Sequence, residues 1–143
     1  MRDIYDLDRF KRAQFAMYDQ ALAEMKAGRK RSHWIWYIFP QIAGLGMSEL
    51  SQKFAIKSLD EAKAYLEDDK LRDHLEDICG ALLKLETCDA VQVMGDIDAM
   101  KLKSSMTLFD AVSQEQDNIY NKVLAKFFDG EKDEKTLNIL NKI

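Results

Sequence analysis

The distribution of proline and glycine is the feature that most limits how this chain can fold. Proline occurs once, at position 40, and the six glycines stand at positions 28, 44, 46, 80, 95 and 130. These are the two residue types that most disfavour the interior of a helix, so the long segments between them are free to be helical. Several glycines also follow segments with helical periodicity, where a helix would end. This distribution of proline and glycine predicts an all-α protein.

Apolar residues at helical spacing support that prediction. After Asp68, the residues Leu71, Leu75, Ile78, Leu82 and Leu85 step by four, three, four and three positions, which places them on one face of a helix that packs against a core. The same reasoning predicts about seven helices in a single compact domain over residues 1–143, without a substantial sheet. The predicted helices cover 7–27, 34–39, 48–56, 58–66 with its continuation 68–86, 96–112, 116–128 and 133–143.

Two segments are ambiguous in secondary structure. Residues 34–39 are six consecutive bulky residues that suit a buried strand as well as a helix, and we predict a short helix that follows Ser32 and ends at Pro40. Residues 89–94 have a β-favouring composition, but only one such run is evident and it has no partner. We therefore expect an extended connector there.

Length and composition define the broad class of protein. A chain of 143 residues with 47% hydrophobic residues supports one domain with a core that needs neither disulfides nor metal. Its formal net charge of −4 disfavours general nucleic-acid binding, and its longest apolar run is far too short to span a membrane. We expect a cytoplasmic protein with two free thiols, of which Cys79 is buried in the core and Cys88 is more accessible.

A row of polar residues on the predicted helix 96–112 is the first candidate for chemistry. Asp98, Lys101 and Ser105 follow each other at spacings of three and four, between two apolar faces of the helix. Because burial of an unpaired charge is costly, this row must pair internally or line a wet pocket. Asp98 and Lys101 are spaced for an ion pair, which would need no function. The residues expected to face solvent are Lys103, Thr107 and Asp110.

An aromatic segment after the first helix is the second candidate. Trp34 and Trp36 offer flat surfaces for stacking, Gln41 offers an amide, and His33 has a side chain that titrates near neutral pH. These residue types suit a site for a planar ligand. The alternatives are core packing of the aromatic residues and a capping or surface role for His33.

Motifs for metal or cofactor binding are weak or absent. The two histidines and two cysteines have no accepted zinc-binding spacing. The pair Gly44 and Gly46 is much shorter than a glycine motif for dinucleotides or phosphates. No nucleophile with a matching base can be assigned. We therefore predict no metal and no cofactor, and the pattern leaves open whether the protein is an enzyme.

Three motifs resemble a known family. They are HWIWYIFPQIAGLGMS at residues 33–48, SLDEAKAYL at 58–66 and DIDAMKLKSSMTLF at 96–109, and further matches extend the resemblance over nearly the whole chain. The chain is similar in these motifs to a widespread, mainly bacterial domain family of unknown function. The resemblance implies a compact all-helical domain, and it brings no established activity, cofactor or catalytic residue.

Members of this family often carry the label calpastatin in genomes. A calpain inhibitor of that name would be expected to consist of disordered, proline-bearing repeats. This chain has one proline, a high hydrophobic content and no internal repeat. We therefore do not expect calpain inhibition.

Together these features predict a small-molecule pocket where residues 33–41 meet the polar row of helix 96–112. The ligand would be polar or anionic with a planar part, such as a nucleotide-like molecule. Lys101 would supply charge, Ser105 and Gln41 hydrogen bonds, and one tryptophan a stacking surface. The candidate site residues are His33 as an acid or base, Trp34, Trp36, Gln41, Asp98, Lys101 and Ser105. The alternative is a protein–protein interaction module, in which exposed aromatic residues form a docking patch and the polar row is structural.

Overall fold

The apolar seam of residues 71–82 is buried, as its spacing predicts. In the computed structural model, which describes residues 3–143, Leu71, Leu75, Ile78 and Leu82 lie on one helix and are at most 1% exposed. Leu85, the last residue of the predicted seam, lies beyond the end of this helix and is half-buried. The described residues form helices and no β-strand, which confirms the all-α prediction. The helices are α1 (Asp8–Ala27), α2 (Ile35–Ile38), α3 (Glu49–Lys53), α4 (Leu59–Glu67), α5 (Asp69–Leu83), α6 (Ala90–Met94), α7 (Asp96–Val112), α8 (Ile119–Phe128) and α9 (Glu134–Lys142).

Helix α7 lies at the centre of the packing. It contacts α2, α4, α6, α8 and α9, while α5 contacts α1, α4 and α8. Leu102, Met106 and Phe109 of α7 are buried in the shared core. Because other helices cover α7 on several sides, several of its polar side chains bond within the protein, as Ser104 and Thr107 do.

Side-chain caps fix the start of several helices. An oxygen of Ser58, of Asp68 and of Asp133 accepts a hydrogen bond from the backbone N–H three residues later, at the starts of α4, α5 and α9. Helix α7 begins differently, after Gly95, whose φ of 87° lies in the left-handed region that favours glycine. These caps place the helix ends that surround the candidate site.

The predictions of an extended connector over 89–94 and of about seven helices are wrong. Residues Ala90–Met94 form α6, and the side chain of Asp89 caps it by accepting hydrogen bonds from the N–H groups of Val91 and Gln92. Val93 is buried in the core. The cap and this burial outweigh the β-favouring composition. The additional helix, and the separation of α4 from α5, bring the number to nine in residues 3–143.

The connection between α2 and α3 is held by backbone pairing. Ile42 and Ile56 form an isolated parallel bridge, in which the N–H of Ile56 donates to the carbonyl of Gln41 over 2.9 Å and the N–H of Ala43 donates to Ile56 over 2.8 Å. This pairing fixes the backbone at Gln41, one of the candidate site residues.

The thiol prediction is confirmed within the described residues. Cys79 is buried, Cys88 is exposed, and both are free. Among the described helices, none has the length and apolar character that crossing a membrane would require.

Candidate functional site

A groove of about 1130 Å³ opens where α7 faces the connection after α2. Its wall includes Trp36 and Gln41 from the aromatic segment and Lys101 from the polar row of α7. The segment at the start of α9 supplies further wall residues, including Asp133 and Leu137. The two segments that sequence analysis singled out therefore border one groove.

Lys101 and Trp36 are in direct contact at this groove. The ammonium nitrogen of Lys101 lies 4.5 Å from the centroid of the Trp36 ring, within the range of a cation–π interaction. Trp36 is half-buried and the side chain of Lys101 is 25% exposed. An aromatic surface and a positive charge are thus presented side by side.

The carboxylate of Asp98 binds two lysines. Its Oδ1 lies 3.4 Å from Nζ of Lys101, so the ion pair that the spacing allowed is present. Its Oδ2 lies only 2.6 Å from Nζ of Lys30, whose side chain is 6% exposed. One carboxylate therefore faces two ammonium groups. The cluster of Asp98, Lys30 and Lys101 has a net positive charge, and Lys101 is its member that lines the groove.

Gln41 is buried as a residue, but its amide oxygen is open to the groove and most of the amide's hydrogen-bonding capacity is not used within the protein. The residue is 3% exposed. Its nitrogen makes one long contact of 3.5 Å with the carbonyl of Phe39, and no donor among residues 3–143 reaches its Oε1. Buried amides normally have several partners. Since Gln41 lines the groove, a molecule bound there can supply the missing ones.

Four candidate residues lie outside the groove wall, and one of them is Asp98, which pairs with Lys101. Trp34 is buried in the core, and its indole N–H donates to Glu24 over 3.0 Å. His33 is exposed on the surface. Ser105 is fully buried, and its hydroxyl has no hydrogen-bond partner among the described residues. The structure therefore brings Trp36, Gln41 and Lys101 together at the groove, with Asp98 behind Lys101.

The carboxylate of Glu24 organises the turn that leads into the aromatic segment. It accepts hydrogen bonds from the backbone N–H groups of Arg31 and Ser32, and from the side chains of Ser32, Trp34 and Gln20. Burial acts to raise the pKa of Glu24, but these hydrogen bonds outweigh it and lower the pKa to about 2. Sequence reasoning missed this residue, because its partners follow a turn of irregular spacing.

The start of α9 is bound tightly to α7. The hydroxyl of Thr107 accepts a hydrogen bond from the N–H of Asp133, and the Asp133 carboxylate accepts one from the hydroxyl of Ser104. The prediction that Thr107 faces solvent is therefore wrong, because α9 covers it. Lys103 and Asp110, predicted for the same exposed face, are also largely covered.

The groove wall as a whole carries balanced charge. Besides Lys101 it includes three lysines and four acidic residues, and Lys103 lies 3.6 Å from one of the acids, Glu131. Positive charge that is not balanced by a nearby acidic residue is therefore found close to Lys101 in this wall. In the described part of the chain, no cluster of His, Cys, Asp and Glu has the makings of a metal site. The wall suits a ligand with one small anionic group better than a polyanion.

The described residues define a small α-helical protein with a groove beside its central helix. The chain belongs to the DUF1810 family of proteins of unknown function, whose model matches residues 4–140. The resemblance seen in the motifs is thereby confirmed. A crystal structure described as the conserved hypothetical protein Rv1873 from Mycobacterium tuberculosis is similar, with a TM-score of 0.94 and 39% identity over 97% of this chain and 99% of that chain. No curated protein matches the chain.

Proposed function

We propose that the groove binds a small molecule that carries an anionic group and a planar part, of which nucleotide-like molecules are one kind. The observation that carries this proposal is the amide of Gln41, a residue of the groove wall whose acceptor oxygen has no partner among residues 3–143 and is open to the groove. The protein holds this residue in place but leaves the oxygen free to accept a hydrogen bond from a molecule in the groove.

Lys101 supports the anionic part of the proposal. Its partner Asp98 already binds Lys30 at a shorter distance, so Lys101 retains charge for a ligand. An ammonium group that meets a phosphate or carboxylate in a partly buried site forms a charge-assisted hydrogen bond. Trp36, in contact with Lys101, would then present its ring to the planar part of the same molecule.

A protein-docking role is less well supported by the same segment. Trp34 and Phe39 are buried, and Trp36 is half-buried, so the aromatic segment forms no exposed patch of the kind such a module would use. We also propose that the protein resides in the cytoplasm, where its exposed free thiol Cys88 would stay reduced.

The two tryptophans allow a direct test. The chain has Trp34 and Trp36 only, so a ¹⁵N-labelled sample gives two indole N–H signals, and one of them belongs to a ring sealed in the core. A panel of aromatic carboxylates and 5′-mononucleotides is titrated into the protein. We expect the Trp36 signal to shift and the Trp34 signal to stay.

Variants complete this test. Lys101→Met and Gln41→Leu should each weaken binding about tenfold or more, in line with the loss of one or two polar contacts. The exposed Lys63→Met on α4 is the matched control and should bind as the wild type does. A panel without any effect on Trp36, or equal affinity in all variants, would overturn the proposal.

A further inference from the structure

A second, smaller cavity adjoins the groove. It has a volume of about 310 Å³, and Trp36 and Gln41 line both cavities. One indole and one amide therefore form the partition between the two. Because Gln41 lines both cavities, it is the polar residue that a molecule spanning the two would pass.

The small cavity differs from the groove in its chemistry. Its wall contains no acidic residue, and its one charged side chain is that of Lys57. Gly44 and Gly46 also line it, and their backbone N–H groups make no hydrogen bond within residues 3–143. With the ammonium group of Lys57 they supply donors that a ligand can use. The cavity therefore suits a group that carries hydrogen-bond acceptors, such as ring nitrogens or carbonyl oxygens.

Gly46 positions the partition. A Cβ atom at this position would lie 2.7 Å from Cβ of Ser51 and 3.0 Å from Cη2 of Trp36, so any larger residue would displace the indole or the start of α3. Nζ of Lys101 lies 4.5 Å from the centroid of the same indole. The same indole therefore lies against Gly46 of the small cavity and against Lys101 of the groove.

We propose that the two cavities form one site for a two-part ligand, in which an acceptor-rich heterocycle occupies the small cavity and an anionic group lies at Lys101 in the groove. The free oxygen and the NH₂ group of Gln41 together match a ring edge that presents an adjacent donor and acceptor, as a lactam or an amino-substituted heterocycle does. The ligand class is that of a nucleobase-like ring joined to a phosphate or carboxylate. This inference rests on the proposed function and adds the position and chemistry of the planar part.

The test compares two-part probes with a one-part probe. Affinities for the four common ribonucleoside 5′-monophosphates and for ribose 5-phosphate, which has the anionic group without the ring, are measured by calorimetry. We expect at least one mononucleotide to bind the wild type more than about tenfold tighter than ribose 5-phosphate, a difference that corresponds to about 1.4 kcal/mol.

Two variants separate the cavities. Ala43→Leu places a larger side chain in the wall of the small cavity and should remove the preference for the mononucleotide while binding of ribose 5-phosphate is unchanged. Lys101→Met should weaken both probes. Ala125→Leu, at an exposed position of α8, is the control for the added volume, and circular dichroism checks that each variant is folded.

Failure of this inference is distinct from failure of the proposed function. The two-part site is wrong if mononucleotides and ribose 5-phosphate bind the wild type within about threefold of each other. It is also wrong if folded Ala43→Leu still prefers the mononucleotide. In both cases the groove still binds anions. If no probe binds and the Trp36 indole signal does not move with any compound of the aromatic carboxylate panel, both the inference and the proposed function are wrong. Should Ala43→Leu not fold, Lys57→Met, at the rim of the same cavity, replaces it with the same expectation.

Discussion

The indole N–H of Trp34 donates a hydrogen bond of 3.0 Å to Oε1 of Glu24, which lies ten residues earlier in the chain. This bond ties the last turns of α1 to the segment that carries the groove residues Trp36 and Gln41. The same carboxylate accepts from Ser32 and from two backbone N–H groups, so its ionisation state affects the whole connection.

The first prediction concerns acid stability. Because hydrogen bonds lower the pKa of Glu24 from an ordinary 4.5 to about 2, the charged form stabilises the fold fully above the ordinary value, and this contribution is lost as the pH falls toward 2. We expect the free energy of unfolding in urea to decrease more between about pH 5 and pH 3 in the wild type than in Glu24→Gln. Glu86→Gln, at an exposed position, should keep the wild-type dependence. Parallel pH profiles for the wild type and Glu24→Gln would contradict this role.

The second prediction separates the two lysines of the Asp98 cluster. In Lys101→Met, Asp98 keeps its closer partner Lys30, so we expect a loss of about 1 kcal/mol or less. In Lys30→Met, the lost partner is the more buried one and also donates to the carbonyl of Ser32, so we expect a loss of about 3 kcal/mol. Chemical denaturation of both variants measures the difference. A larger loss in Lys101→Met would show that the stabilising pair is Asp98 with Lys101.

The third prediction concerns the core. Leu82 of α5 and Leu102 of α7 are at most 1% exposed, so replacing either with alanine leaves a cavity, and we expect a loss of about 2 to 5 kcal/mol. Leu50→Ala, at a position that is 51% exposed, is the control and should cost well under about 1 kcal/mol. Losses below about 1 kcal/mol at both buried positions would be incompatible with the packing described here.

The fourth prediction concerns the two thiols. Burial raises the pKa of the Cys79 thiol well above its ordinary value, whereas Cys88 is exposed. A thiol reagent should therefore modify one cysteine of the native protein rapidly and the second only after unfolding. Peptide mapping by mass spectrometry should assign the rapid site to Cys88. Rapid modification of both thiols in the native state would mean that the seam around Cys79 opens readily.

The helical architecture is predictable because each long helix carries its own local signal. The seam of Leu71, Leu75 and Ile78 and the capping side chain of Asp68 act within a few residues of each other, so periodicity is sufficient to place α5. Helix α6 lacks such a signal. It contains two valines within five residues, and its helical state depends on the burial of Val93 in the core, which is a tertiary contact.

The candidate site is predictable only in part, for a related reason. Two tryptophans two residues apart are equivalent in sequence, yet Trp34 is sealed in the core by its bond to Glu24 while Trp36 reaches the groove. Likewise, Thr107 has the spacing of a solvent-facing residue, and the position of α9 buries it. Spacing along a helix specifies which side chains share a face, but only the packing of other helices determines what covers that face.

The wall of the groove that comes from the start of α9 is synthesised after helices α1 to α8. Asp133 supplies hydrogen-bond partners for Ser104 and Thr107 of α7, and it contributes to the groove wall. A nascent chain that has been translated only as far as α8 holds most of the core residues but lacks this wall. If the proposed ligand binds this groove, it would stabilise a chain that includes α9 and would have no complete groove to bind in a nascent chain that ends before it.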